Sequence, residues 1–164
     1  MDVLILLRHG KAVREHEAAD DKSRGLTERG RRQAAEAGGA LVKAGLAPDR
    51  ILVSGALRTR QTYAALASVF TATPTFLDAL YMGRAETVWD EAIRTGGKTV
   101  LVIGHNPGLH ELAADLAGQS NDHSAQALAL RDRFPTSAYA AFSLAGLRKS
   151  SAGPRLLSAW APSS

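Results

Sequence analysis

Short apolar runs alternate along the chain with segments whose apolar residues recur every three or four positions. Leu4 to Leu7, within Val3-Leu4-Ile5-Leu6-Leu7, has the length and unbroken apolarity of a strand buried on both faces. A polar loop rich in Glu, Asp, Lys and Arg follows, from about His9 to Leu26. Thr27 suits the N-cap of a helix that carries Ala34, Ala37, Leu41 and Val42 inward and stops at Gly45. Ile51-Leu52-Val53 predicts a second strand ending at Ser54-Gly55, and a helix follows from Ala56 to about Val69. Thr75-Phe76-Leu77 predicts a short third strand, and residues 85 to 95 a helix with Val88, Trp89 and Ile93 facing the core. Thr99 to Ile103 is the strongest central strand. It ends at Gly104-His105-Asn106, with Pro107 as the first residue of a helix carrying Leu109, Leu112 and Leu116.

The last third changes character. Residues 119 to 133 read as loop with a short extended piece at Ala127 to Leu130. Ala138 to Leu144 and Leu156 to Trp160 read as strands joined through a turn region, Gly146 to Gly153, which predicts an antiparallel hairpin. The whole pattern implies βαβ units: an α/β fold built as a three-layer α/β/α sandwich, with a mainly parallel mixed sheet and a C-terminal antiparallel hairpin. The 164 residues, 45% of them hydrophobic, suit a single domain over residues 1–164 with one sizeable core.

Composition narrows the chemistry. Cysteine is absent, so disulfides, thiolate metal sites and a cysteine phosphatase mechanism are excluded. No stretch approaches the length of a membrane span, and Met1-Asp2-Val3 opens without a signal-peptide pattern, so cytoplasmic residence is the expectation. Twenty Lys and Arg against sixteen Asp and Glu give a net charge of +4. Arg29, Arg31 and Arg32 share a predicted helix with Glu28 and Glu36, and aromatic content is 5%. That distribution argues against nucleic acid and suits a solvated helix face, while arginines gathered in a pocket would draw in anionic substrates.

The chemistry-bearing residues fall at strand ends, where open α/β sheets place their ligand crevice. Arg8 and His9 follow the first strand, Arg58 follows the second, and His105 follows the strong fourth. Arginine offers a planar fork of donors to phosphoryl oxygens, and a histidine nitrogen can carry a phosphoryl group covalently. His105 and Asn106 precede a helix amino terminus, which favours an anion. Two imidazoles and two guanidiniums around one point would form a cationic cage.

These segments resemble the histidine phosphatase superfamily, also called phosphoglycerate mutase-like. Leu7-Arg8-His9-Gly10, Leu26-Thr27-Glu28-Arg29-Gly30, Ser54 to Thr62 with Arg58-Thr59-Arg60-Gln61-Thr62, and Gly104-His105-Asn106 are similar to its motifs and stand in the family's order. Gly104 to Gly108, the later Phe134-Pro135-Thr136 and the short length resemble the SixA-type phosphohistidine phosphatase branch. The resemblance implies a phosphoglycerate mutase-like fold and a metal-independent phosphohydrolase without cofactors. His9 would attack phosphorus and form a phosphohistidine, while Arg8, Arg58, His105 and Asn106 bind the phosphate. It implies a phosphohistidine protein as substrate. A small phosphorylated metabolite, or a non-catalytic phosphate-binding module, is the alternative. A mutase fits less well, because the chain is too short for an enclosing lid.

The chain departs from the family at the proton donor. Where many members carry glutamate after the third strand, this sequence has Asp78, with Glu86 or solvent as alternatives. Imidazole, with a pKa of roughly 6.5, leaves more easily than an alkoxide, so a weak acid position leans toward phosphohistidine. Lys11 and Arg24 are candidates for the pocket rim or plain surface charges. Gly96-Gly97-Lys98-Thr99 imitates a P-loop but precedes its strand, and His110-Glu111 lacks the second histidine of a zinc helix, leaving His110 a surface residue. His16 and His123 read as solvated. Specificity is expected from the loops around residues 11–26 and 119–135, and oligomeric state is left open.

Overall fold

The computed structural model describes residues 1–148 and 152–163. Its six strands form one sheet: β1 (Val3–Arg8), β2 (Arg50–Ser54), β3 (Pro74–Leu77), β4 (Thr99–Gly104), β5 (Tyr139–Ser143) and β6 (Arg155–Trp160). Their spatial order is β3-β2-β4-β1-β5-β6. The first four run parallel, while β5 is antiparallel to both β1 and β6. The expected mixed sheet and terminal hairpin are therefore present. Part of the turn expected at Gly146 to Gly153, residues 149–151, lies outside the described residues.

Five helices cover the sheet: α1 (Glu28–Lys43), α2 (Leu57–Leu66), α3 (Ala85–Arg94), α4 (Gly108–Gln119) and α5 (Ala125–Asp132). Alternate strand residues feed the two faces. Leu4, Leu6, Val100 and Val102 pack with α3, α4 and α5. Ile5, Leu7, Leu101 and Ile103 pack with Ala37 and Leu41 of α1 and Leu66 of α2. Full burial of a Leu or Ile stabilises by about 1.5–3 kcal/mol, so the continuously apolar β1 and β4 anchor both layers. The chain leaves β1 for α1 on one face and β4 for α4 on the other. A crevice opens where neighbouring strands send their helices to opposite sides.

Local signals account for most element ends. Thr27 caps α1, its hydroxyl accepting a hydrogen bond from the Gly30 amide at 3.0 Å. Four expectations are corrected. Residues 125–132 form helix α5 rather than an extended piece within a loop, with the Ser124 hydroxyl accepting from the Ala127 amide. Ala-Leu-Ala-Leu imitates a strand alternation, but Ala127 and Leu130, three apart, are the buried pair. Val42 and Ile93 are half exposed, because the buried faces of their helices run through Ala34, Ala37, Gly38 and Leu41 and through Val88 and Ala92. Pro107 stands just before α4 as its N-cap. His110 is not a plain surface residue. Half-buried, it stacks on Phe134 and bonds through Nε2 to the Leu130 carbonyl at 2.9 Å, joining α4 to α5.

A glycine pair fixes the loop after β1. A Cβ on Gly30 would lie 2.2 Å from the Lys11 carbonyl oxygen, and one on Gly10 would lie 2.7 Å from the Gly30 carbonyl oxygen. Backbone meets backbone there, so α1 and the loop interlock only without side chains. Gly39, further along α1, has open space around it. Gly30→Ala should therefore destabilise the protein by about 1–3 kcal/mol through overpacking. Gly39→Ala should stabilise it by about 0.5–1 kcal/mol. Urea denaturation of the two variants reads both signs, and equal shifts would refute the interlock.

Candidate active site

The register of β1 and β4 pairs Arg8 with Gly104, so the residues that follow, His9 and His105, emerge side by side. Their ring centroids are 5.3 Å apart. β2 lies on the other side of β4 and delivers Ser54, after which the first turn of α2 presents Arg58. Arg8, His9, Arg58, His105 and Asn106 all line one cavity of about 550 Å³ at these strand ends. The sequence-predicted cage thus comes together, and both Lys11 and Arg24 reach its wall.

Hydrogen bonds orient each group. His9 Nδ1 lies 2.7 Å from the Gly10 carbonyl oxygen, an acceptor only, so Nδ1 carries the proton and Nε2 keeps a free lone pair. Burial is the largest influence on His9 and, with His105, Arg8 and Arg58 nearby, pushes its pKa down to about 3 despite the opposing Gly10 hydrogen bond. Burial and Arg58 likewise hold His105 down to about 4. Both imidazoles are therefore neutral near pH 7. His105 Nε2 is 2.7 Å from Ser54 Oγ, while its Nδ1 is buried without a protein partner. A hydroxyl that donates to Nε2 leaves the Nδ1 hydrogen available to an anion.

The guanidiniums are held from behind. Arg8 Nη1 donates to the Phe134 carbonyl at 3.1 Å, which also accepts from Asn106 Nδ2 at 2.9 Å. Arg58, 3% exposed, donates from Nη1 to the Asp21 carbonyl and from Nη2 to the Asp21 carboxylate. Arg8 Nε and Arg58 Nε are buried donors without a partner. Burial, and then Arg58, lowers the Arg8 pKa from its ordinary value, which marks the repulsion an oxyanion would relieve.

Asp21 and Tyr81 are the site residues that sequence reasoning missed. Asp21 accepts hydrogen bonds from the Tyr81 hydroxyl, from Arg24 and from Arg58, which hold its carboxyl well below the ordinary range, Tyr81 contributing most. The Tyr81 ring meets His105 edge-on at 5.6 Å. The spacing of Asp21 and Arg24 was visible within a loop, but no period indicated which acid turns inward. Gln61 and Thr62 serve the site through the backbone. Thr62 Oγ1 accepts from the Gly10 amide at 2.9 Å, and Gln61 Oε1 accepts from the Leu26 amide at 2.7 Å.

Asp78 is corrected. Its side chain is 79% exposed, ion-paired to Lys22 at 3.2 Å and outside the cavity wall. It follows β3, the outermost strand on that side, with β2 and β4 between it and β1. Glu86 is exposed and lines a separate shallow cleft with His110 and Arg131. The carboxylates on the cavity wall are instead Asp21 and Glu15. Among the described residues no group of three or more His, Cys, Asp or Glu could hold a metal ion, and no helix is long and apolar enough to cross a membrane. The glycines before β4 form a turn in which Asp49 accepts from the Lys98 and Thr99 amides.

Comparison with known proteins agrees with this geometry. Residues 4–81 match the model of the histidine phosphatase superfamily (branch 1). An uncharacterized protein of Mycobacterium tuberculosis is 37% identical over 142 residues, covering 85% of this chain and 88% of that protein. The candidate phosphohistidine phosphatase SixA of Nakamurella multipartitia superposes with a TM-score of 0.83 at 32% identity, over 99% of this chain and 97% of that one. The protein histidine phosphatase SixA complexed with tungstate superposes with a TM-score of 0.75 at 26% identity, over 98% and 97% of the two chains. The chain therefore belongs to the histidine phosphatase superfamily, in its SixA-type branch, and is by that membership a phosphohydrolase.

Proposed function

We propose that this phosphohydrolase removes phosphate from phosphohistidine in a protein, through a covalent phosphohistidine formed on His9. The observation that carries the reading is the tautomer of His9: its Nδ1 proton is committed to Gly10, and Nε2 stands unprotonated beside three buried, unpartnered donors on Arg8, Arg58 and His105. Nε2 forms the bond to phosphorus as the substrate's phosphorus–nitrogen bond breaks. The departing imidazole keeps that electron pair and takes a proton from solvent. Water then attacks the phosphoryl group on His9, returning the neutral imidazole and releasing phosphate. Arg8, Arg58 and His105 hold the equatorial oxygens through both steps, with the second amide hydrogen of Asn106 available to assist.

The carboxylates on the cavity wall favour a labile substrate. Asp21 is held ionised by Tyr81, Arg24 and Arg58 and has no proton to give, and Glu15, the other one, is exposed. Asp78 and Glu86 lie outside the cavity. A leaving imidazole needs the least help, and the SixA-type relatives are named for phosphohistidine. A small phosphorylated metabolite is the competing substrate class, and rates on phosphorylated imidazole and on an alkyl phosphate ester distinguish the two.

Rapid quenching with phosphorylated imidazole should trap acid-labile, alkali-stable phosphate on His9. His9→Ala should show neither trapped phosphate nor turnover, and surviving turnover would falsify the covalent route. Arg58→Ala should lower turnover by about a hundredfold or more, as loss of a transition-state donor does, with folding checked by circular dichroism. An unchanged rate would remove Arg58 from the site.

The histidines give a pH signature. Both folded-state pKa values lie below the ordinary 6.5, so NMR of the free protein should show neither His9 nor His105 titrating between about pH 5 and 8. The unfolded chain takes up protons there that the folded chain refuses. These two residues therefore make stability fall as pH drops below about 6.5 and continue to do so toward their folded values. A midpoint near 6.5 for either ring would overturn the proposed protonation state.

A further inference from the structure

A second cavity of about 540 Å³ adjoins the phosphate pocket and shares Lys11 and Thr136 with it. Its wall is mainly apolar: Ala129 and Leu130 of α5, Tyr139 of β5 and Trp160 of β6, with the two aromatic rings stacked at 6.3 Å. Its charged residues are Lys11, Arg29 and Arg133. All three are exposed, none is ion-paired among the described residues, and no Asp or Glu lines the cavity. A chain with sixteen acidic residues leaves all of them out of this wall.

The groove is tied to the nucleophile. Thr136 borders both cavities, and the next residue, Ser137, donates its amide to the carbonyls of Arg8 and His9 at 3.2 and 3.0 Å. Whatever binds in the groove is therefore registered on His9 through two residues of rigid backbone. A phosphoryl group occupies only the first cavity. A floor of aromatic and aliphatic side chains ringed by unpaired cations is what an apolar segment with carboxylates along its edges would complement.

We infer that this groove docks the polypeptide around the substrate phosphohistidine, and that it selects an acidic segment with apolar residues on one side. The inference rests on the phosphohydrolase reading and adds the chemistry of the partner. Apolar side chains cover Trp160 and Ala129, while Asp or Glu pair with Arg29 and Arg133. The same pairing disfavours a basic segment by like-charge repulsion.

Two peptides phosphorylated on histidine with phosphoramidate supply the test, one flanked by Leu and Glu, the other by Leu and Arg, with phosphorylated imidazole as the small substrate. Wild-type protein should prefer the acidic peptide in kcat/KM by about tenfold or more, a preference that shrinks as salt is raised. Arg29→Glu, Arg133→Glu and the groove-filling Ala129→Trp should each reduce or abolish that preference and leave hydrolysis of phosphorylated imidazole unchanged. Anisotropy of a labelled, unphosphorylated acidic peptide reads docking without turnover, and Arg133→Glu should weaken it.

Equal rates on the two peptides, variants that handle the acidic peptide like wild type, or variants that slow phosphorylated imidazole equally would each overturn the groove assignment while leaving the hydrolase intact. Self-association that Arg133→Glu abolishes would assign the groove to a second copy instead. If no phosphorylated substrate turns over, the hydrolase reading fails by itself and anisotropy alone decides the groove.

Discussion

The parallel pairing of β1 with β4, in the register that sets Arg8 opposite Gly104, is the constraint on which the site depends. It brings two histidines nearly a hundred residues apart in sequence to the same crevice. A slip of one residue would send the alternating side chains of β1 to the opposite faces and separate the rings. The register is held by burial on both sides: Leu4 and Leu6 belong to one core, Ile5 and Leu7 to the other.

What this scaffold holds is by itself electrostatically unfavourable. Two guanidiniums and two imidazoles share a low-dielectric pocket, and the imidazoles respond by staying neutral. Asp21 offsets part of the repulsion by gripping Arg58 from one side, with Tyr81 and Arg24 holding the carboxylate in place. Buried donors on Arg8, Arg58 and His105 have no partner within the protein, and in the proposed reaction an oxyanion would satisfy them. The same arrangement supports nucleophilic catalysis, since a histidine surrounded by cations keeps its lone pair at neutral pH.

The family's motif residues divide into those that line the cavity and those that keep the loops in place. Gln61 and Thr62 bond the amides of Leu26 and Gly10, and the carbonyl of Phe134 anchors both Arg8 and Asn106. Gly10 and Gly30 allow the two backbones to touch. The segment from Phe134 to Ser137 has a further position, forming the divide between the phosphate pocket and the apolar groove beside it. A single stretch of backbone therefore borders both the cavity that holds His9 and the groove proposed for the rest of a substrate.

The sequence by itself determined the elements, their order and the four cage residues, because strand and helix periods are local and a ligand crevice lies at the carboxyl ends of parallel strands. It also carried the motif glycines and the Thr27 cap. Tertiary structure alone decided which acid enters the pocket. Asp21 lies in an irregular loop and Asp78 opens a single 3-10 turn, where no period reports direction; the packing of the loop from 9 to 26 against α2 turns Asp21 onto Arg58, while Asp78, after edge strand β3, stays in solvent. The outward turn of Val42 and Ile93 has the same origin, since both positions suit a helix face and only the neighbouring layer fixes its width. For α5, an Ala-Leu alternation is compatible with either period. Packing against α4 buried the residues three apart.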